Sequence, residues 1–226
     1  MPWDDWIRTV EIEPSLYAAD FAHLGDAVEL LLRAGARVFH FDVGDGHFVE
    51  PITMGPIVLQ AVAPLVHAVD GAALDCHLMV DNPTHHFPQI ARAGGDSATF
   101  HYEVVDDVPG TIAAARGHGL EVGVAFNPQT EPEAVAAVAG DADLVLCMSI
   151  HPGYSGQQFM PEALGRIRRL RQALPPSVRI QVDGGIDGYN VREVFDAGAT
   201  LIVAGNSVFG GDDPQRSYRR LVQALA

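Results

Sequence analysis

Ala34-Gly35-Ala36-Arg37-Val38-Phe39-His40-Phe41-Asp42-Val43 is the stretch on which the fold turns. Ala34-Gly35 ends a helical pattern, Ala22–Ala34, in which Leu24, Val28, Leu31 and Leu32 form one stripe at 3.6-residue spacing. Glycine just past a helix suits a left-handed cap, because it has no Cβ to clash. Val38–Val43 then reads as a strand, being short and rich in β-branched and aromatic residues. Helix, cap and strand thus follow one another within a few residues. The same Ala-Gly punctuation returns at Ala93-Gly94 and Ala197-Gly198.

Outward from that junction the alternation continues in both directions. Strand-like runs fall at Val10–Pro14, Ala73–Met79, Ser97–His101, Glu121–Phe126, Leu144–Ile150, Arg179–Val182 and Thr200–Val203. Further helical patterns fall between them, at Gly55–Leu65, Thr84–Ala93, Val108–His118, Glu131–Ala137, Pro161–Leu174 and Gly188–Ala197. Strands joined through helices by short connections run parallel. Eight such units in 226 residues predict an α/β fold closed into a (β/α)8 TIM barrel, a single domain over residues 1–226. In such barrels the chemistry sits at the C-terminal ends of the strands, so the candidates are sought there.

Composition removes several functions before any motif is read. A formal net charge of −15 argues against nucleic acid, whose phosphates need clustered cations. All 14 basic residues are arginine, so no lysine is present to form a Schiff base with a substrate or a pyridoxal cofactor. Apolar runs are short and interrupted, and no membrane span is expected. Trp3, Asp4, Asp5 and Trp6 stand where a signal peptide has basic and then apolar residues, so none is read. Cys76 and Cys147 lie far apart in apolar runs; they read as buried thiols, and the setting as a reducing cytoplasm.

The strand ends carry the polar residues that matter. Strand alternation puts His40 and Asp42 on one face and Phe41 and Val43 on the other. Asp75, His77 and Met79 share a face of the next strand, and Val182-Asp183-Gly184-Gly185 ends the seventh. Buried imidazoles and carboxylates are costly unless something pairs them. His40, Asp42, His77 and Asp183 together suit one divalent ion, Zn2+, Mn2+, Fe2+ or Co2+. Glycine-bearing loops follow strands six, seven and eight: His151-Pro152-Gly153-Tyr154-Ser155-Gly156, Gly184-Gly185 and Ala204-Gly205-Asn206. Glycine lets backbone amides approach an anion, so these loops read as a phosphate cradle. His47 and His101 are candidates for supporting the ligands. His23, His67, His85, His86 and His118 read as solvated, and so do Arg166, Arg168, Arg169 and Arg171.

These residues resemble the ribulose-phosphate 3-epimerase family. The likeness runs from Ile12 to Phe209. It is carried by Glu13-Pro14-Ser15, Ala19-Asp20-Phe21, His40-Phe41-Asp42, Asp45-Gly46-His47-Phe48-Val49, His77-Leu78-Met79-Val80, Asn82-Pro83, Asn127-Pro128, Pro152-Gly153, Gly156-Gln157, Val182-Asp183-Gly184-Gly185-Ile186 and Ala204-Gly205. The resemblance implies epimerisation at C3 of a ketose phosphate, with D-ribulose 5-phosphate and D-xylulose 5-phosphate as the leading pair and D-allulose 6-phosphate as the alternative. A metal-assisted aldolase or decarboxylase, or a non-catalytic sugar-phosphate binder, is a weaker reading. It implies that Asp42 and Asp183 are the two acid/base groups besides being metal ligands. Ser15, His77, Met79 and Met148 are placed at the substrate, and Gly153, Gly156, Gly184, Gly185, Gly205 and Asn206 at its phosphate. A dimer or hexamer is implied as well. Where the family has leucine and methionine, this chain has Tyr17 and Gly44, which suggests that the glycine makes room for the tyrosine ring.

Overall fold

The computed structural model describes residues 9–225; the reading of Trp3, Asp4, Asp5 and Trp6 lies outside the described residues. Eight strands alternate with helices: β1 Glu11–Pro14, α1 Leu24–Ala34, β2 Val38–Gly44, α2 Pro56–His67, β3 Ala73–Met79, α3 Pro83–Ala93, β4 Ser97–His101 and α4 Val108–Arg116. The second half continues with β5 Glu121–Phe126, α5 Pro132–Ala136, β6 Leu144–Met148, α6 Glu162–Ala173, β7 Arg179–Asp183, α7 Val191–Ala197, β8 Leu201–Ala204, α8 Asn206–Phe209 and α9 Pro214–Ala224. All pairings are parallel, in the order β1-β8-β7-β6-β5-β4-β3-β2. A parallel bridge between Ser15 and His40 links the two ends of the sheet, so the barrel is the one expected.

Gly35, Gly94 and Gly198 take the left-handed conformation that the Ala-Gly pairs predict, at φ 106°, 94° and 119°. Most element edges shift by one to three residues from the expected bounds, and larger differences fall at two places. Asp20 Oδ1 accepts the Ala22 N–H at 3.0 Å, and a short 3-10 turn, Phe21–His23, precedes α1 where one continuous helix was expected. Beyond β8 stand α8 and α9, outside the predicted helices; Asp213 caps α9 by accepting the Arg216 N–H at 2.9 Å.

Strand parity sorts the barrel into layers. Phe39, Phe41 and Val43 face the helices and join the large apolar core between sheet and helix ring. Val38, Ala73, Ala125, Leu144, Leu146, Met148 and Leu201 form a second apolar cluster on the opposite strand faces, within the barrel. Much of the remaining interior is polar: Glu13, His40, Asp42, Asp75, His77, Ser97, Thr99, His101 and Gln181 are all buried. Register lines these up, His40 beside Asp75 beside Ser97, and one layer higher Asp42 beside His77 beside Thr99. Cys76 and Cys147 are buried and unpaired, as expected. Among the described residues no helix is long and apolar enough to cross a membrane.

Candidate active site

Four side chains from three strands converge above the polar layer. His40, Asp42, His77 and Asp183 each offer a ligand atom, and these atoms all lie within 4.8 Å of one another. His77 Nδ1 is 3.2 Å from Asp42 Oδ1 and 4.0 Å from Asp183 Oδ2. His40 Nε2 is 3.3 Å from Asp42 Oδ1, yet it is buried and makes no hydrogen bond among the described residues. Such a nitrogen is costly to bury unless a cation completes it. A divalent ion with bonds of about 2.0–2.2 Å spans separations of this size, so the residues fit one.

The two carboxylates differ in charge. Burial pushes Asp42 up, but His40 and His77 outweigh it and hold the carboxyl far below the usual range. Asp183 has no such partner at contact. Burial and then the Asp42 charge raise it to about 7. Asp42 is therefore ionised at neutral pH while Asp183 shares its proton with solvent. Ser15 Oγ donates to Asp42 Oδ2 at 2.8 Å and fixes that oxygen at the cavity side. Ser149 Oγ donates to the carbonyls of Asp183 and Gly184, at 2.8 and 2.7 Å, and pins the end of β7.

A cavity of about 490 Å³ opens above this cluster. Ser15, Asp42, Met79, Met148 and Asp183 line it, and Gly153, Gly156, Gly184, Gly185, Gly205 and Asn206 form its β6–β8 side. Of the residues predicted to touch substrate, only His77 does not line it; this side chain is fully buried, turned to Asp42 and His101. Glycine at 184 and 185 has a second reason beyond anion approach. A Cβ on Gly184 would stand 2.3 Å from the Ile150 side chain, and one on Gly185 2.4 Å from the Phe159 backbone. Both also hold positive φ, 121° and 65°.

Three expectations need correction. His47 does not support a ligand: it is exposed, and among the described residues its ring bonds only the Asp45 carbonyl, at 3.1 Å. Arg166 is not solvated. It shares the inward stripe of α6 with Ala163, Ile167 and Leu170, and donates to the Met148 carbonyl at 2.9 Å. Nor does Gly44 make room for Tyr17. A Cβ there would meet the Pro51 carbonyl at 2.8 Å and Val49 and Thr53 side chains at 3.0 and 3.1 Å, because the loop after β2 folds back over it. Gly44→Met is accordingly expected to destabilise the fold by about 1–3 kcal/mol, and Tyr17→Leu to give no rescue; chemical denaturation of both single variants and the double variant checks this.

Several supporting residues had no assigned role in the sequence reading. Asp75 Oδ2 lies 2.9 Å from His40 Nδ1 and also accepts from Gln181 Nε2 at 2.7 Å, while its Oδ1 accepts from Ser97 at 2.6 Å. Gln181 Nε2 donates in turn to Glu13, which burial and the Asp75 charge hold well above the usual carboxylate range. The signal for Asp75 was parity: it shares a strand face with His77. His101, the supporting histidine that does fit, stands 2.9 Å from His77.

Barrel, acidic–imidazole cluster and glycine-lined cavity define a class: a TIM-barrel enzyme with its polar machinery at the strand ends. Comparison narrows the class. Residues 11–209 match the Ribulose-phosphate 3 epimerase family. Ribulose-phosphate 3-epimerase 2 of Cupriavidus necator is 37% identical over 225 residues, covering 96% of this chain and 92% of that protein. The ribulose-phosphate 3-epimerase of Bacillus subtilis is 36% identical, with 94% and 98% covered; that of Escherichia coli K12 is 37% identical, with 95% and 93% covered. Among solved structures, 3-hexulose-6-phosphate synthase superposes with a TM-score of 0.73 at 18% identity, covering 96% of this chain and all 100% of that one, a likeness of fold. The chain belongs to the ribulose-phosphate 3-epimerase family and is an enzyme of the isomerase class.

Proposed function

We propose that the chain interconverts D-ribulose 5-phosphate and D-xylulose 5-phosphate in the cytoplasm, with one divalent ion held by His40, Asp42, His77 and Asp183. The observation that carries this reading is a pair of carboxylates that reach one cavity from different strands. Asp42 and Asp183 stand on strands separated around the ring by β1 and β8. Both line the cavity, so both reach a carbon bound there. Two carboxylates that approach one carbon from different sides suit opposite roles in proton transfer.

The C3 hydrogen of a 2-ketose is acidic because the neighbouring carbonyl accepts the electron pair left behind. A bound divalent ion supplies positive charge beside the ketose oxygens and favours that ionisation. Asp42, steered by Ser15, takes the hydrogen from one face of C3. Asp183 delivers its proton to the opposite face, and the centre is inverted. Asp42 then holds a proton and Asp183 holds none; exchange with solvent restores the starting state, and the reverse reaction uses the same groups in exchanged roles. Met79 and Met148 give the cavity apolar walls beside the reacting carbon.

Backbone amides of the loops after β6, β7 and β8 hold the phosphate, since those loops carry no lysine or arginine. Gly205→Val is expected to raise KM about tenfold, a loss of about 1.4 kcal/mol, with kcat little changed. The added side chain would crowd Ala18 and Ser155, which already lie 3.2 and 3.5 Å from a Cβ there. An equal fall in kcat would place Gly205 at the reacting centre instead. Assay of five- and six-carbon ketose phosphates, with metal analysis of the same preparation, tests the function. Preference for D-allulose 6-phosphate would overturn the substrate; turnover without metal would overturn the cofactor. The exposed apolar side chains of Ile52 and Ile57 support self-association as a dimer or hexamer, which sedimentation measures.

A further inference from the structure

We propose that His101 and Glu103 form a positioning relay, which keeps the proton of His77 on Nε2 and so turns its Nδ1 lone pair to the cation cluster. The proposal rests on the reading of His77 as a ligand. It begins from what a neutral imidazole offers: one N–H donor and one lone pair. His77 Nδ1 is the nitrogen that faces Asp42 and Asp183, at 3.2 and 4.0 Å. A ligating nitrogen presents its lone pair, so the proton of this ring belongs on Nε2.

Every further link then has one direction. His77 Nε2 and His101 Nε2 are 2.9 Å apart, a distance at which one nitrogen donates and the other accepts. With His77 as donor, His101 Nε2 accepts and the His101 proton must sit on Nδ1. That atom lies 3.3 Å from Glu103 Oε2, and a carboxylate only accepts. The chain therefore ends on the group that enforces its polarity. Glu103 is itself held: its Oε1 accepts the Asn127 N–H at 2.8 Å and the Thr130 hydroxyl at 2.5 Å, both in the loop between β5 and α5. His101 is fully buried, its ring between those of His77 and Phe48 at centroid distances of 5.0 and 4.6 Å. Packing thus fixes the ring plane, and the hydrogen bonds fix the protons.

Loss of the acceptor at 101 leaves His77 two poor choices. It keeps a buried N–H without a partner, or it moves the proton to Nδ1 and points it into the cluster. Either weakens cation binding, and partners of this kind affect metal affinity by about 10–100-fold. The experiment is Zn2+ titration against a competing chelator for the wild type, His101→Leu and His101→Gln. Alongside it, nitrogen-15 NMR of the histidine rings is recorded on wild type loaded with Zn2+, since without the ion the Asp42 carboxylate, 3.2 Å from His77 Nδ1, accepts a hydrogen bond from a proton there. Glutamine at 101 can place its Oε1 where Nε2 stood and accept the same bond. Expected are a 10–100-fold weaker Kd for His101→Leu, recovery of most of that loss in His101→Gln, and rings protonated at Nε2 in His77 and Nδ1 in His101. A His101→Leu affinity within twofold of wild type, or glutamine no better than leucine, overturns the relay. So does a His77 ring protonated at Nδ1, a readout that stands even if the leucine variant fails to fold. Wild type that binds no Zn2+ overturns the ligand reading, and with it the purpose assigned to the relay.

Discussion

Asp183→Asn is expected to lower kcat by about 10²–10⁴-fold, the range that general acid–base catalysis contributes. That corresponds to about 3–5 kcal/mol of barrier. Asparagine keeps the size and an oxygen of the side chain but cannot carry the proton that the raised carboxyl of Asp183 holds near pH 7. Solvent deuterium separates this loss from a simple loss of metal. With Asp42 intact, the epimer whose C3 hydrogen faces Asp42 should still exchange that hydrogen for deuterium and return uninverted. The other epimer should not exchange. Asp42→Asn should show the mirror pattern. Assays at saturating metal keep weakened ligation out of the comparison. Small and equal losses in both variants, or exchange from both epimers in each, would assign the bases elsewhere.

The four candidate ligands were legible because strands have a period of two. His40 with Asp42, and Asp75 with His77, had to share faces, and the apolar residues between them had to meet the helices. The eight-fold alternation was legible for a similar reason: strands buried on both sides read as short apolar runs, and glycine marks where each helix must stop. What escaped was long-range. Glu13 and Gln181 are bonded across 168 positions, and no local pattern pairs them. Gly44 sits under a loop that returns from Val49–Thr53, so the contents of its neighbourhood depended on a chain path that no periodicity encodes. Arg166 is a different case, since its spacing from Ala163, Ile167 and Leu170 was the inward helical period and the charge alone drew it to the surface in the reading. A buried arginine is tolerable there because backbone carbonyls of Met148 and Pro128 accept its bonds. α9 was hidden by composition: only Tyr218 and Leu221 of its residues are buried, a thin stripe among arginines.

His40→Asn should abolish cation binding while leaving the barrel folded. Asparagine can place an N–H where His40 Nδ1 donates to Asp75 at 2.9 Å, but it has nothing at the position of Nε2. His40→Ala removes both, leaves the fully buried Asp75 without that partner, and is expected to cost about 3–5 kcal/mol of stability besides. The readout is thermal unfolding with and without Zn2+. At about 100 times Kd the ion should stabilise wild type by about 2.7 kcal/mol, a rise of roughly 5–10 °C for a chain of this size. Neither variant should gain anything. The pH dependence has a definite sign. Burial lowers His40, but the Asp42 and Asp75 carboxylates outweigh it and hold the ring well above its usual value, so His40 Nε2 must shed a proton for the ion to bind. A raised folded-state pKa stabilises the metal-free protein below the unfolded value, and that stability is lost as pH climbs through the folded value. Metal-free protein should therefore weaken between pH 6 and 8, while Zn2+ affinity rises about tenfold per pH unit for each proton displaced below its pKa. Asp42 is already ionised throughout this window and contributes no slope. The gain in Tm from Zn2+ must then be larger at pH 8 than at pH 6. A gain independent of pH would mean that the ion displaces no proton, and hence that it binds away from His40.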